Sequence, residues 1–160
     1  MSVSGLGARH QRVARHLVLK MVARLMLNPA AVHYTQGGDR WDGINHRKGL
    51  HTPNFWPYYG DCSATATHIL WRALFIAFKV RDIVNGTNWT AGFTGTQASH
   101  GRRVRIPRVG DLCLYGPFPN HEHVAVYIGG GKVFSHGSEG GPYILPMRYR
   151  PDLAEIRRYI

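Results

Sequence analysis

The hydrophobic period of this chain changes once, near residue 110, and that change restricts the folds open to it. Residues 9–27 (RHQRVARHLVLKMVARLML) place Val13, Leu17, Met21 and Leu25 at i, i+4 spacing. Val18, Val22 and Met26 widen the stripe, which predicts an amphipathic helix closed by Asn28-Pro29. Residues 62–79 (CSATATHILWRALFIAFK) are apolar nearly all round and predict a second, central helix. Beyond residue 110 the pattern becomes short and alternating. Strands are predicted at 112–115, 123–128, 132–136 and 143–145, the last reaching as far as Met147 or Arg148, with Gly129–Gly131 as a hairpin loop. Two helices followed by an antiparallel meander predict an α+β domain. Residues 1–8 (MSVSGLGA) read as a flexible N-terminus, and residues 9–160 as one domain. Residues 80–105 fit no single period.

The segment 29–60 has no period but carries Trp41, Phe55, Trp56, Tyr58 and Tyr59. A long loop this rich in aromatics is either the wall of a binding cleft or is pinned to the core by its rings.

Composition narrows the class. Of 160 residues, 44% are hydrophobic, enough for a packed core. The two cysteines, Cys62 and Cys113, exclude a disulfide-dense scaffold and a four-cysteine zinc module. Twenty Lys and Arg against nine acids give +11, which calls for a polyanionic neighbour: nucleic acid, anionic lipid or an anionic envelope polymer. No nucleotide loop, RNP-type or finger motif is present, so no specific nucleic-acid partner is expected. No apolar run approaches the roughly 20 residues of a membrane span. Arg12, Arg15, Lys20 and Arg24 interrupt the N-terminal apolar stretch, so it does not read as a secretory signal. The expectation is synthesis in the cytoplasm. The basic first helix could lie on a membrane; packing on its own domain is the favoured reading.

Gly60-Asp61-Cys62-Ser63 sets a cysteine at the mouth of the apolar helix. Free N–H groups and the helix dipole there favour a thiolate, and the same N–H groups can hold an oxyanion. The competing reading is a small buried cysteine, with Asp61 or Ser63 merely capping the helix. A cysteine nucleophile needs a base, and the base an orienting partner. His123 opens an apolar strand. With Gly130-Gly131 as a two-residue turn, Gly129 pairs with Lys132 and Ala125 with His136. His123 and His136 then become diagonal neighbours on one face, with Val124, Val126 and Ile128 on the other. A longer turn presents Ser135 instead. His121-Glu122-His123 lacks the spacing of a helical zinc motif, and a zinc site from His121, His123, His136 and Cys113 is a minor alternative. His68 lies on the second helix on a side turned from Cys62 and reads as structural. Cys113 reads as buried and inert.

Three stretches together resemble the NlpC/P60 family of cell-wall cysteine peptidases, papain-like enzymes related to the CHAP amidases. Tyr34-Thr35-Gln36-Gly37-Gly38 is similar to the family's tyrosine–glycine–glycine segment, and Asp61-Cys62-Ser63 to its nucleophile motif. Val109-Gly110-Asp111-Leu112, with His123–Gly129 and Lys132–His136, is similar to its glycine–aspartate strand and histidine hairpin. The match spans about residues 20–146. The resemblance implies a papain-like fold with the nucleophile at a helix N-terminus. It also implies Cys62 as nucleophile, His123 as general base and acid, and His136 as the polar third member. Tyr34, Asp61 and Ser63 would contact substrate, and no metal or other cofactor is implied. The chain departs from the family pattern at Ala64, where glycine is usual, and in the long insert from Asp39 to Gly60. An ungapped match sets Ser135 in the third place, and the acidic Glu139 is a further alternative.

What the resemblance implies for function is a peptidoglycan hydrolase. It would cleave a stem-peptide amide, typically next to γ-D-glutamate, through a thioacyl intermediate. The alternatives are an amidase acting on the sugar–peptide bond and a non-catalytic basic module binding wall polymer or nucleic acid. The expected partners are bacterial peptidoglycan and anionic envelope polymers, for a monomer acting at the cell wall. A phage lysin or virion-associated catalytic domain fits a chain with no secretory signal.

Overall fold

A computed structural model describes residues 7–44, 53, 55–86, 92–138 and 140–160. Most of the expected flexible N-terminus and residue Glu139 lie outside the described residues. Helix α1 (Ala8–Leu25) turns Ala14, Val18, Val22 and Leu25 inward. Leu17 and Met21 flank this seam and pack on the core, whereas Val13 is 44% exposed, so the buried stripe sits one residue away from the one expected. The helix packs on its own domain. Among the described residues no helix is long and apolar enough to cross a membrane.

Helix α2 (Cys62–Phe78) starts at Asp61, whose side chain accepts from the Ala64 amide at 2.8 Å, and stops at Lys79, which takes the left-handed conformation. It is buried on nearly all sides. Ile69, Leu70, Ala73 and Leu74 join the main core, and Trp71 meets Trp41 and Ile44 in a second cluster. The loop from 29 to 60 is therefore pinned at Trp41, and at Trp56, whose indole N–H donates to the Ala31 carbonyl at 3.1 Å. Phe55, Tyr58 and Tyr59 remain exposed. A short parallel pair, β1 (His33–Tyr34) with β2 (Tyr59–Gly60), brings Tyr34 opposite Gly60, one step before the α2 cap. A single turn, α3 (Thr94–Ser99), follows.

The remaining strands are β3 (Arg102–Val104), β4 (Leu112–Tyr115), β5 (His123–Gly129), β6 (Lys132–Ser135), β7 (Tyr143–Pro146) and β8 (Leu153–Arg158). They form one antiparallel sheet in the order β3-β8-β4-β5-β6-β7. The expected meander is β4 to β7. The chain then crosses back, and β8 inserts between β3 and β4. Leu112, Leu114, Val124, Val126 and Phe134 face the helices, and Cys113, Tyr115, Ala125, Val133 and Ile156 form a separate apolar layer on the outer face.

The β5–β6 register differs from the expectation. Gly129 pairs with Lys132 as foreseen, but a bulge between Tyr127 and Gly129 leaves Ala125 opposite Ser135, not His136. Packing explains the shift. With the bulge, Phe134 pairs with Val126 and enters the helix-side core at 2% exposure. A regular hairpin would turn that ring to the outer face, giving up about 1.5–3 kcal/mol of burial.

The sheet is locked to α1 by a buried carboxylate. Asp111 is fully enclosed and accepts from Arg158 Nη2 at 2.7 Å and Nε at 3.0 Å, and from the Arg108 amide at 2.7 Å. Arg15 stands 3.9 Å away and donates to the Val109 and Ile160 carbonyls.

Candidate active site

Cys62 is the first residue of α2, and its thiol is half-buried. Its partners are the backbone N–H groups of Val124 and Ser63 and the hydroxyl of Thr94. The Val124 contact sets the helix mouth against the first residues of β5, beside His123. Burial, reinforced by the Asp61 carboxylate, pushes the Cys62 thiol up to about 11, and the three donors only partly oppose it. At neutral pH the resting sulfur is a thiol, not the thiolate expected from its helix position alone.

His123 is 6% exposed, with its Nε2 2.9 Å from Ser135 Oγ. Ser135 Oγ is in turn 3.2 Å from the Tyr149 hydroxyl. The Tyr115 and Tyr149 rings enclose the imidazole, with centroids at 5.8 and 6.4 Å. On the remaining side, a side chain at Gly137 would come 3.2 Å from His123 Cε1, so the glycine leaves the ring its room. Burial first, and then the Arg150 charge, lower His123 to about 4. The resting pair is thus neutral thiol and neutral imidazole.

His136, expected as the partner of His123, lies elsewhere. It is 1% exposed, its Nδ1 is 2.9 Å from Thr65 Oγ1 on α2, and its ring meets Tyr34 edge-on at 5.5 Å. The bulged register sends it to the helix side of the sheet and gives Ser135 the place beside His123. This corrects the expected register, in which His136 stood opposite Ala125 and diagonal to His123.

The three substrate positions also sort differently. Tyr34 stands by the helix mouth, where burial, with Cys62 and Asp61 adding, raises its phenol against a lowering hydrogen bond from Gln36. Ser63 is 2% exposed and its hydroxyl donates to the cap carboxylate, Asp61 Oδ1, at 3.0 Å. Asp61 is 7% exposed and spends Oδ1 on the cap, while Oδ2 faces Arg40 Nε at 3.7 Å. Asp61 thereby satisfies one of the first amides of α2.

His68 is structural, with Nδ1 2.9 Å from the Gly43 carbonyl. The four groups of the minor zinc reading diverge. His121 turns to Glu155 at 3.0 Å, His136 to Thr65, His123 to Ser135, and Cys113 lies enclosed in the outer layer. Among the described residues no three His, Cys, Asp or Glu side chains gather as a metal site. Thr94 and Tyr149 were not foreseen. Thr94 lies in the stretch without a period, and Tyr149 follows the last expected strand, so neither carried a signal.

No protein-family model matches the chain, and no curated protein matches it. Solved structures do. The peptidoglycan hydrolase RipB from Mycobacterium tuberculosis is similar at TM-score 0.65 and 24% identity, over 99% of this chain and 70% of that one. The NlpC/p60 domain of the peptidoglycan hydrolase SagA is similar at TM-score 0.60 and 18% identity, over 90% of this chain and 97% of the domain. A hypothetical invasion protein of Mycobacterium tuberculosis is similar at TM-score 0.63 and 21% identity. That match takes in 97% of this chain, which spans only 66% of the other structure's length. At such identities the likeness is one of fold. The architecture that seats Cys62 against the head of β5 is the papain-like NlpC/P60 fold.

Proposed function

We propose that this chain is a cysteine hydrolase of peptidoglycan, with Cys62 as nucleophile, His123 as base and acid, and Ser135 as the orienting group. One observation carries the reading: the Cys62 thiol is held by the Val124 amide next to His123, whose Nε2 is already engaged by Ser135. The likeness in fold to structures described as peptidoglycan hydrolases supports the substrate class.

The chemistry follows from the protonation states. A neutral imidazole that gives its Nε2 proton to Ser135 Oγ keeps a lone pair on Nδ1. As sulfur attacks the amide carbon, the S–H proton passes to that lone pair. The carbonyl oxygen gains the negative charge. The Cys62 amide, first in the helix and outside its hydrogen-bond ladder, is placed to receive that oxyanion, with the Tyr34 phenol nearby. The C–N bond then breaks, and the imidazolium returns its proton to the leaving amine. A water molecule, deprotonated by His123, attacks the thioacyl carbon and releases the carboxylic acid and the thiol. Because thiol and imidazole rest neutral, the proton moves during attack.

The bond favoured is a stem-peptide amide next to γ-D-glutamate; an amidase acting on the sugar–peptide bond would use the same residues. Mass spectrometry of purified peptidoglycan, digested by the wild type and by Cys62→Ala, tests both points. Stem fragments released only by the wild type are expected, and their masses name the bond. Equal release by both proteins would remove Cys62 from the mechanism.

A further inference from the structure

A dense cluster of positive charge lies beside β3, one of the two edge strands of the sheet. β3 carries Arg102 and Arg103, and the segment just after it adds Arg105 and Arg108, all four exposed. Two clefts flank the strand. One, of about 530 Å3, is lined by Arg103, Arg105 and Arg148 above aliphatic Leu153 and Ile156, with Glu155 also in its wall. The other, of about 400 Å3, is lined by Arg102, Arg105, Arg108 and Arg158. The acids present are already engaged. Glu155 is met by Arg157 at 3.2 Å, Arg103 at 3.7 Å and His121 at 3.0 Å, and Asp111 by Arg158. Arg102, Arg105, Arg108 and Arg148 make no ion pair with any described residue. Like charges crowd further inward as well. Burial and the charges of Arg158, Arg108 and Arg102 hold Arg15 below the ordinary range against the pull of Asp111.

A few charges suffice to spoil an edge strand for unwanted pairing. Four unmatched guanidinium groups around two clefts exceed that need, and they lie where an anion would relieve them. We propose that the arginine-lined clefts along β3 dock a phosphodiester-linked polymer of the bacterial wall, one polyol-phosphate chain lying along the edge strand. The wall as its source rests on the proposed substrate.

The geometry favours this occupant over nucleic acid. Arg103, its side chain 65% exposed beside Glu155, and Arg105, in the bend just after β3, follow one another along the edge, as contacts to successive phosphates of one chain require. A cleft of about 530 Å3 takes a single chain and not a duplex. Single-stranded nucleic acid calls for aromatic platforms on which its bases stack, and the residues lining both clefts include no aromatic ring. Guanidinium forks match phosphate bidentately, and the aliphatic walls suit a polyol backbone.

The test uses Cys62→Ala as the parent, so that binding is measured without digestion. Sedimentation compares walls bearing a polyol-phosphate polymer with the same walls stripped of phosphodiesters by hydrofluoric acid, for the parent and for Arg105→Glu/Arg148→Glu in that background. Neither arginine is engaged in an ion pair, and matching melting curves check that the variant folds. Roughly tenfold weaker binding is expected on stripped walls, and a similar loss for the variant on intact ones. The variant should also show a shallower dependence on salt. With Cys62 restored, the double variant should still digest stripped walls at the wild-type rate, so a failure of docking is separable from a failure of the hydrolase reading. Equal binding to intact and stripped walls, or an unchanged variant, overturns the proposal. Displacement by single-stranded DNA at lower concentration than by the soluble polymer also overturns it, in favour of nucleic acid.

Discussion

His123 and His136 flank one hairpin, and their surroundings share almost nothing. His123 sits on the outer face between tyrosine rings, with a serine hydroxyl on Nε2 and the mouth of α2 at its shoulder. His136 sits on the helix face, locked to Thr65 and edge-on to Tyr34. The same residue type opens β5 in one setting, where its partner is Ser135, and follows β6 in the other, where its partner is Thr65. What separates them is one bulged residue in β5, placed there by the packing of Phe134.

The largest effect that sharpens this contrast is on rate. His123→Ala should lower kcat by about 10²–10⁴-fold with the fold retained, measured as stem-peptide release by a folded protein. Wild-type kcat/KM should stay level from pH 8 to about 5 and decline only as His123 protonates near 4. A midpoint near ~6.5 would instead mean that the imidazole is not held in the dry pocket between Tyr115 and Tyr149.

His136→Ala should invert the pattern. Losing a buried ring and its bond to Thr65 should cost about 2–4 kcal/mol of stability, seen as a lower denaturant midpoint, with kcat of the folded fraction within about threefold. Collapse of kcat in a fully folded His136→Ala protein would restore that histidine to the third place and break the comparison.

His68 supplies a control, a strut histidine far from chemistry. Its burial lowers it to about 4. Between the unfolded value of about 6.5 and 4, the unfolded chain binds a proton that the folded chain refuses. Stability should therefore fall as pH drops through that window, by about 3 kcal/mol in all from this group. Melting temperatures of His68→Gln should depend less on pH across 4–6.5 than those of the wild type. Equal slopes would remove His68 from the acid response.

The smallest effect concerns the orienting group. Ser135→Ala should lower kcat by about three- to tenfold, the worth of one neutral hydrogen bond, with KM little changed. Tyr149→Phe should act in the same direction and more weakly, because it keeps the ring against His123 and removes only a hydroxyl that bonds to Ser135.

Much of this was legible in the sequence. Helix periods located α1 and α2, alternation located β4 to β7, and a cysteine at the mouth of an apolar helix singled out Cys62. Other parts were not. β8 (LAEIRR) carries Glu155, Arg157 and Arg158, which read as surface until Asp111, His121 and Arg103 are seen to meet them. The buried seam of α1 lies one position from its apparent stripe because Ala14 lets the helices approach. The register of β5 on β6 escaped local reasoning because turn length alone does not set it: a core phenylalanine does. The bonds of Asp61 to the Ala64 amide and the Ser63 hydroxyl follow from the helix end, which local sequence shows only as a possible cap.

The hairpin bulge also decides which of two adjacent positions can change. Position 135 lies beside the base yet outside the helix-side core, so its occupant is free to change without disturbing Phe134. A carboxylate, an amide or an imidazole placed there would inherit the seat and its contact with the ring. Position 136 has no such freedom, since its side chain is built into the joint between α2 and Tyr34. A substitution at 135 therefore changes the group that meets the imidazole, whereas one at 136 disturbs the joint itself.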